Sequence, residues 1–98
     1  MTIEKNLNNA CATLKIIGRL DTTTAPELEK TVEECEAEMN ELVMDCSQLE
    51  YVSSAGLRVI LKAQKLMSQR NGMKLIHVND TIMEVLDITG FTDILTIE

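Results

Sequence analysis

The chain's 98 residues suit a single hydrophobic core and leave too little for a second domain. Nine Lys and Arg against sixteen Asp and Glu give a net charge of −7, which would repel a phosphate backbone or an anionic bilayer and so argues against nucleic-acid and membrane-surface roles. No apolar run exceeds three residues, as at residues 59 to 61, against the about 18 a membrane span requires, and MTIEKNLNNA lacks the basic start and apolar stretch of a secretory leader, so the chain reads as cytoplasmic.

In chain order, Ile3, Lys5 and Leu7 alternate, Asn8 and Asn9 make a turn, and Ala10, Ala12, Leu14 and Ile16 form one face of a second strand that Gly18 ends. Arg19, Leu20, Asp21 and three threonines then lead into a helix. Thr24 is its expected N-cap, Glu27 the capping-box partner, and Pro26 falls in the first turn, where its missing N–H is harmless. Ala25, Leu28, Val32, Cys35 and Met39 make its buried stripe, while Glu29, Lys30, Glu33, Glu34, Glu36 and Glu38 make a solvated, mostly acidic face.

Leu42, Val43 and Met44 form a continuous apolar run that suits a central strand buried on both faces and ending at Asp45. Residues 46 to 52 read as a loop. Helical spacing returns over residues 54 to 70, with Gly56, Val59, Ile60, Ala63, Leu66 and Met67 on one arc and Asn71-Gly72 as the stop. MKLIHV, residues 73 to 78, is a second buried strand. Thr81 with Glu84 opens a shorter helix with Ile82, Val85 and Leu86 inward, Gly90 ends it, and Ile94, Leu95 and Ile97 give a terminal strand. The order β, β, α, β, α, β, α, β predicts an α/β domain. Its mixed sheet has about five strands, an N-terminal antiparallel hairpin with the remainder largely parallel, and three main helices.

Cys11, Cys35 and Cys46 are an odd set without CxxC spacing, each among apolar positions, and read as reduced packing residues rather than metal ligands or redox centres. Asp21 and Asp45 could gather at the strand ends near a serine, which invites an enzyme reading. No His or Lys base accompanies them, Cys46 beside Asp45 reads as a packing residue, and the single histidine, His77, falls in the buried-looking strand, so no catalysis is expected. Phosphate loops of the GxxxxGK[ST] or GxGxxG kind are absent, and the sequence implies neither a metal nor a cofactor.

The informative segment is YVSSAGLRV, residues 51 to 59, where Ser53 and Ser54 sit at a helix start whose N–H groups favour added negative charge. Either serine could equally be a plain N-cap. At 100° per residue Leu57 lies about 120° and Leu61 about 160° from the centre of the core arc. With Arg58 and Lys62 beside them they suit a docking patch, or else Leu57 packs beneath the neighbouring loop.

DCSQLEYVSSAGLRVIL, residues 45 to 61, resembles the signature of the STAS domain, the sulfate transporter and anti-sigma factor antagonist family. IIGRLDTTTAPELE at 16 to 29 and VNDTIMEVLDITGFTDIL at 78 to 95 are similar to further segments of that family, so the whole of residues 1 to 98 reads as one STAS domain. The resemblance implies an anti-sigma factor antagonist whose phosphoacceptor lies two positions before the glycine, at Ser54. It departs from the commonest pattern at Ser53, where the family carries Asp, and at Ala55, where it carries a hydroxyl, which leaves Ser53 as an alternative acceptor. The implied partners are an anti-sigma factor serine kinase, bound by the unphosphorylated protein, and a PP2C-type serine phosphatase that reverses phosphorylation. The implied contact residues are Asp21, Thr22, Ser53, Ser54, Ala55, Gly56, Leu57, Arg58 and Leu61, and the free protein is expected to be monomeric. The alternative is a STAS scaffold or weak nucleotide-sensing module with a non-sigma target. The alternating stretches at residues 10 to 17 and 73 to 78 argue against an acyl-carrier protein, which is also small and acidic with a serine before a helix but all helical.

Overall fold

Alternation near the N-terminus produces an antiparallel hairpin, β1 (Thr2–Asn8) and β2 (Cys11–Leu20), in a computed structural model that describes residues 1–98. Its turn residues are Asn9 and Ala10, at φ +52° and +65°. Two left-handed residues are what a two-residue turn needs to match the twist of the flanking strands, so Ala10 belongs to the turn and not to the second strand as its alternation suggested. The chain continues through α1 (Ala25–Cys35), β3 (Glu41–Val52), α2 (Ser54–Met67), β4 (Met73–Ile76), α3 (Asp80–Ile88), a single 3₁₀ turn (Phe91–Asp93) and β5 (Thr96–Ile97). Sheet order follows chain order, with every pairing after the first parallel. The predicted α/β class, the hairpin and the helix count are all present.

All three helices pack on one face of the sheet. Ala12, Leu14 and Ile16 of β2 meet Leu42, Met44 and Cys46 of β3 and Met73 and Leu75 of β4 in a single core with Leu28, Val32, Ile60, Met67, Ile82 and Leu86 from the helices. The intervening residues face away from this layer. Thr13 pairs with Val43 and Val43 with Lys74, while Lys15 pairs with Asp45 and Asp45 with Ile76, and of these only Val43 is buried. Val43 is therefore shielded by its neighbours within the sheet, not by a second helical layer, which corrects the expectation of a strand covered on both faces.

Gly18 does not end β2. It sits within the strand at φ +98°, beside one of two places where β3 carries an extra residue relative to β2: Lys15 opposes Asp45 but Ile17 opposes Gln48, and Gly18 opposes Leu49 but Arg19 opposes Tyr51. Such bulges bend and twist a strand pair. The first begins where the Asp45 carboxylate accepts from the Ser47 N–H at 2.9 Å. Residues 46 to 52, expected to be a loop, are consequently the second half of a twelve-residue strand.

Helix ends follow local chemistry with tertiary help. α3 is capped by Asn79, not by a Thr81–Glu84 box: Asn79 Oδ1 accepts from the Ile82 N–H at 2.9 Å while its Nδ2 donates to the Leu49 carbonyl at 2.9 Å, fixing the helix to β3. The C-terminus of α1, with no basic residue of its own, receives Arg70, whose guanidinium donates to the carbonyls of Glu36 and Met39. Gly90, at φ +80°, closes α3 as expected. His77 is not in a buried strand. It is exposed, at φ +57°, just beyond β4. Cys35 and Cys46 lie in the core, where burial pushes the Cys46 thiol up to about 12, whereas Cys11 is only half-buried and donates to Glu41 Oε1 at 3.3 Å.

Candidate functional site

β2 and β3 run parallel, so their C-terminal ends deliver two segments to one edge: the Asp21 turn that leads into α1, and Ser53 that leads into α2. The two are joined directly. Ser53 N–H donates to the Leu20 carbonyl at 2.9 Å, immediately before Asp21.

Gly56 makes the junction tight. A Cβ at this position would lie 2.7 Å from Leu20 Cγ and 3.0 Å from the Leu20 carbonyl oxygen, so the first turn of α2 rests against the end of β2 where no side chain fits. This close approach carries the adjacent Leu57 under cover. At 6% exposure Leu57 is part of the core, so of its two readings packing is the one met, and its place as the centre of a docking patch outside the core arc is corrected. Leu61, one turn further on, is half-buried, and Arg58 is exposed.

The two serines are inequivalent. Ser53 is the N-cap of α2, extended at φ −92° and ψ 174°, and its hydroxyl accepts from the Gly56 N–H at 3.2 Å. Ser54 is the first helical residue, and it is exposed. First-turn N–H groups have no acceptor within their own helix, and α2 has no acidic residue in its first turn, so the partial positive charge at Ser54 is uncompensated by its own helix. Ala55 is half-buried and packs against the core.

Opposite, the Asp21 carboxylate is turned into its own loop. Thr23 Oγ1 donates to it at 2.7 Å, and the N–H groups of Thr23 and Thr24 donate at 3.0 and 3.1 Å. The Thr23 hydroxyl first, then these N–H groups, hold it below the usual carboxylate range. Thr24 therefore does not cap α1 in the expected way: its hydroxyl donates to the Arg19 carbonyl at 2.9 Å and accepts from the Asp21 N–H at 2.8 Å, and no box forms with Glu27. Thr22 is exposed beside this loop.

Asp21 and Asp45 do not converge. Asp45 lies within β3 opposite Lys15, about 20 Å of strand before Val52, the partner of Leu20. Its carboxyl is also held low: partial burial raises it, but the bonds from Ser47 outweigh that effect. No group of three or more His, Cys, Asp or Glu side chains is placed to hold a metal ion.

One feature of this edge is not evident from the sequence pattern. Arg19 stacks its guanidinium 4.2 Å from the centre of the Tyr51 ring, and Tyr51 is 40% exposed. These residues oppose each other only because of the second bulge, so period-two alternation could not pair them. A lone exposed tyrosine beside the serine pair was the available signal.

The sequence model of the STAS domain family matches residues 2–98. An anti-sigma-B factor antagonist of Listeria monocytogenes is 28% identical over 85 residues, covering 85% of this chain and 75% of that protein. An anti-sigma factor antagonist from Mycobacterium paratuberculosis matches in structure with a TM-score of 0.88 at 21% identity, over 98% of this chain and 83% of the other. The phosphorylated form of the Bacillus cell fate determinant SpoIIAA matches with a TM-score of 0.77 at 12% identity, over 99% of this chain and 91% of its own. At these identities the two structures establish the shared fold.

Proposed function

The chain belongs to the STAS domain family, and on that premise we propose that it is an anti-sigma factor antagonist: a cytoplasmic, monomeric, non-enzymatic module whose STAS domain spans residues 1 to 98. Unphosphorylated, it binds an anti-sigma factor that is a serine kinase, and so frees a sigma factor. Transfer of the γ-phosphoryl group of ATP to Ser54 Oγ, with release of ADP and the hydroxyl proton, breaks the complex. A PP2C-type phosphatase hydrolyses the phosphoserine and restores binding.

The observation that carries this reading is the division between the serines: Ser53 Oγ is engaged with the Gly56 N–H, while Ser54 stands exposed at the first position of α2. A phosphoryl group at Ser54 meets first-turn donors, an interaction typically worth about 0.3 to 1 kcal/mol on a surface, so the free protein tolerates it. Inside a contact the same dianion must be desolvated or set against partner charge. A penalty of about 3 kcal/mol there lowers affinity roughly a hundredfold. Asp21, Thr22, Arg58 and the Arg19–Tyr51 stack complete the contact surface around it.

Incubation with the cognate anti-sigma kinase and ATP should add one phosphate at Ser54, located by mass spectrometry of the peptide holding residues 51 to 58. The phosphoprotein should melt within a few degrees of the unmodified protein and fail to bind the kinase in calorimetric titration. Modification confined to Ser53, or equal binding by both forms, would refute the assignment.

A further inference from the structure

Away from the serine edge, α1 and α2 lie side by side over the sheet and leave a groove of about 280 Å³ between them. Its floor is apolar: Val32 of α1 with Val59, Ala63 and Leu66 of α2. Val59 and Leu66 reach the core from one side and remain half-exposed on the other, so the groove is a place where the helical layer's apolar interior opens to solvent. The volume lies near the lower end for ligand pockets and suits one or two side chains.

The rim sets the sign of what can enter. Between residues 27 and 38 the chain carries six glutamates and one lysine, and Glu29, Glu33 and Glu36 line the groove itself. Facing them from α2 is one cation, Lys62, bonded to Glu29 at 3.0 Å across the groove. Both partners of this pair are substantially exposed, so it closes the groove only weakly. Glu29, and then Glu33 and Glu36, hold the Lys62 ammonium above its ordinary range, and the one other cation near this rim, Arg70, is engaged by the Glu36 and Met39 backbone carbonyls. A second copy of this chain is a poor occupant, because its own net charge of −7 repels the rim.

We propose that the α1–α2 groove is a second docking surface for a basic amphipathic helix of a partner protein, whose apolar side chains enter between Val32 and Ala63 while its Lys or Arg residues meet Glu33 and Glu36. Groove binding of this kind uses anchors spaced three and four residues apart. It needs no phosphorylation. Lys62 lies about 12 Å along α2 from Ser54, beyond the roughly 8 Å over which physiological salt screens exposed charge. The groove can therefore hold a partner whichever state Ser54 is in.

The test uses a blocked amphipathic helical peptide of leucine and lysine, about 14 residues long, titrated into the full isotopically labelled chain. Saturable shifts of the amide signals of Val59, Ala63 and Leu66 are expected, with affinity falling about tenfold or more between low and high salt. The Glu33→Lys, Glu36→Lys double variant should bind at least about tenfold more weakly than a charge-matched control, Glu84→Lys, Asp87→Lys, on α3. Equal weakening in both variants would make the attraction a net-charge effect and overturn the proposal. Shifts in the unmodified chain that leave those three amides unmoved would overturn it independently of how either variant folds.

Discussion

Replacing Gly56 by alanine tests the junction that sets the candidate site. The added methyl would sit 2.7 Å from Leu20 Cγ, 3.0 Å from Leu20 Cδ2 and 3.0 Å from the Leu20 carbonyl oxygen. Leu20 is wholly buried, so its side chain cannot turn away without displacing core neighbours, and its carbonyl is already fixed by the Ser53 N–H at 2.9 Å. The start of α2 must back away instead. Overpacking of this kind costs about 1 to 3 kcal/mol, and weakening the Ser53–Leu20 bond adds up to about 1 kcal/mol. Against this, alanine gains at most about 1 kcal/mol of helix propensity over glycine. The net expectation is a loss of about 1 to 3 kcal/mol, a fall in Tm of roughly 5 to 15 °C for a domain of this size, and slower phosphorylation of Ser54. Gly72→Ala is the informative contrast: at φ +97° with no atom within 4 Å of the new methyl, it carries backbone strain only and should leave the serine edge untouched. Thermal melting followed by circular dichroism reads both variants. A Gly56→Ala protein that melts at or above the parent temperature would show that α2 does not rest on Leu20 in this way.

Ala10→Gly should raise Tm by roughly 4 to 8 °C, because Ala10 holds φ +65° in a turn that favours glycine and its relief is worth about 1 kcal/mol; an unchanged Tm would argue against that turn geometry. Leu57→Ala should cost about 2 to 5 kcal/mol in chemical denaturation as a core truncation, whereas Arg58→Glu, on the exposed side, should leave stability within about 0.5 kcal/mol and weaken kinase binding. Asp21→Asn should lower the urea midpoint at pH 7. Because the folded-state carboxyl of Asp21 is held low, its contribution is complete above about pH 4 and is lost as pH falls through the lowered value, so the gap between the two proteins should close in acid. A gap that stays constant from pH 7 to about pH 2 would remove Asp21 from the acid limb.

What the sequence disclosed depended on whether a local period survived packing. The α1 stripe of Ala25, Leu28, Val32 and Cys35 is buried as its spacing requires, since a regular helix preserves its face. The second half of β3 was hidden because two extra residues break the period-two pattern, so its buried positions Leu49 and Val52 fall three residues apart. Neither expected capping box forms, for a common reason. Several residues near each start could cap, and the choice fell to contacts outside the helix: Asn79 reaches the distant Leu49 carbonyl, and Thr24 is taken within its own turn by the Arg19 carbonyl. Angular reckoning failed at Leu57 because it assumes uniform distance from the core, while the bare Gly56 lets the first turn of α2 sink. The serine edge was legible in its residues, and the Arg19–Tyr51 stack was not, since a bulge creates it.

The departure at Ser53 has a physical meaning in this setting. Ser and Asp are nearly equivalent N-caps, so a serine where the commonest form of the resemblance implies an acid keeps the Gly56 N–H satisfied at little cost to α2. What it removes is a fixed negative charge next to the proposed acceptor. Asp21, whose carboxylate is bound up by Thr23 and Thr24, is then the acidic group that the adjoining loop brings to this edge. A phosphoryl group arriving at Ser54 therefore meets less like-charge repulsion within its own domain, and more of its electrostatic penalty falls on the partner interface. On this argument Ser53→Asp should preserve the melting temperature, because the cap survives, and should make phosphorylation of Ser54 less favourable relative to the parent, because the carboxylate and the dianion would then stand on adjacent residues.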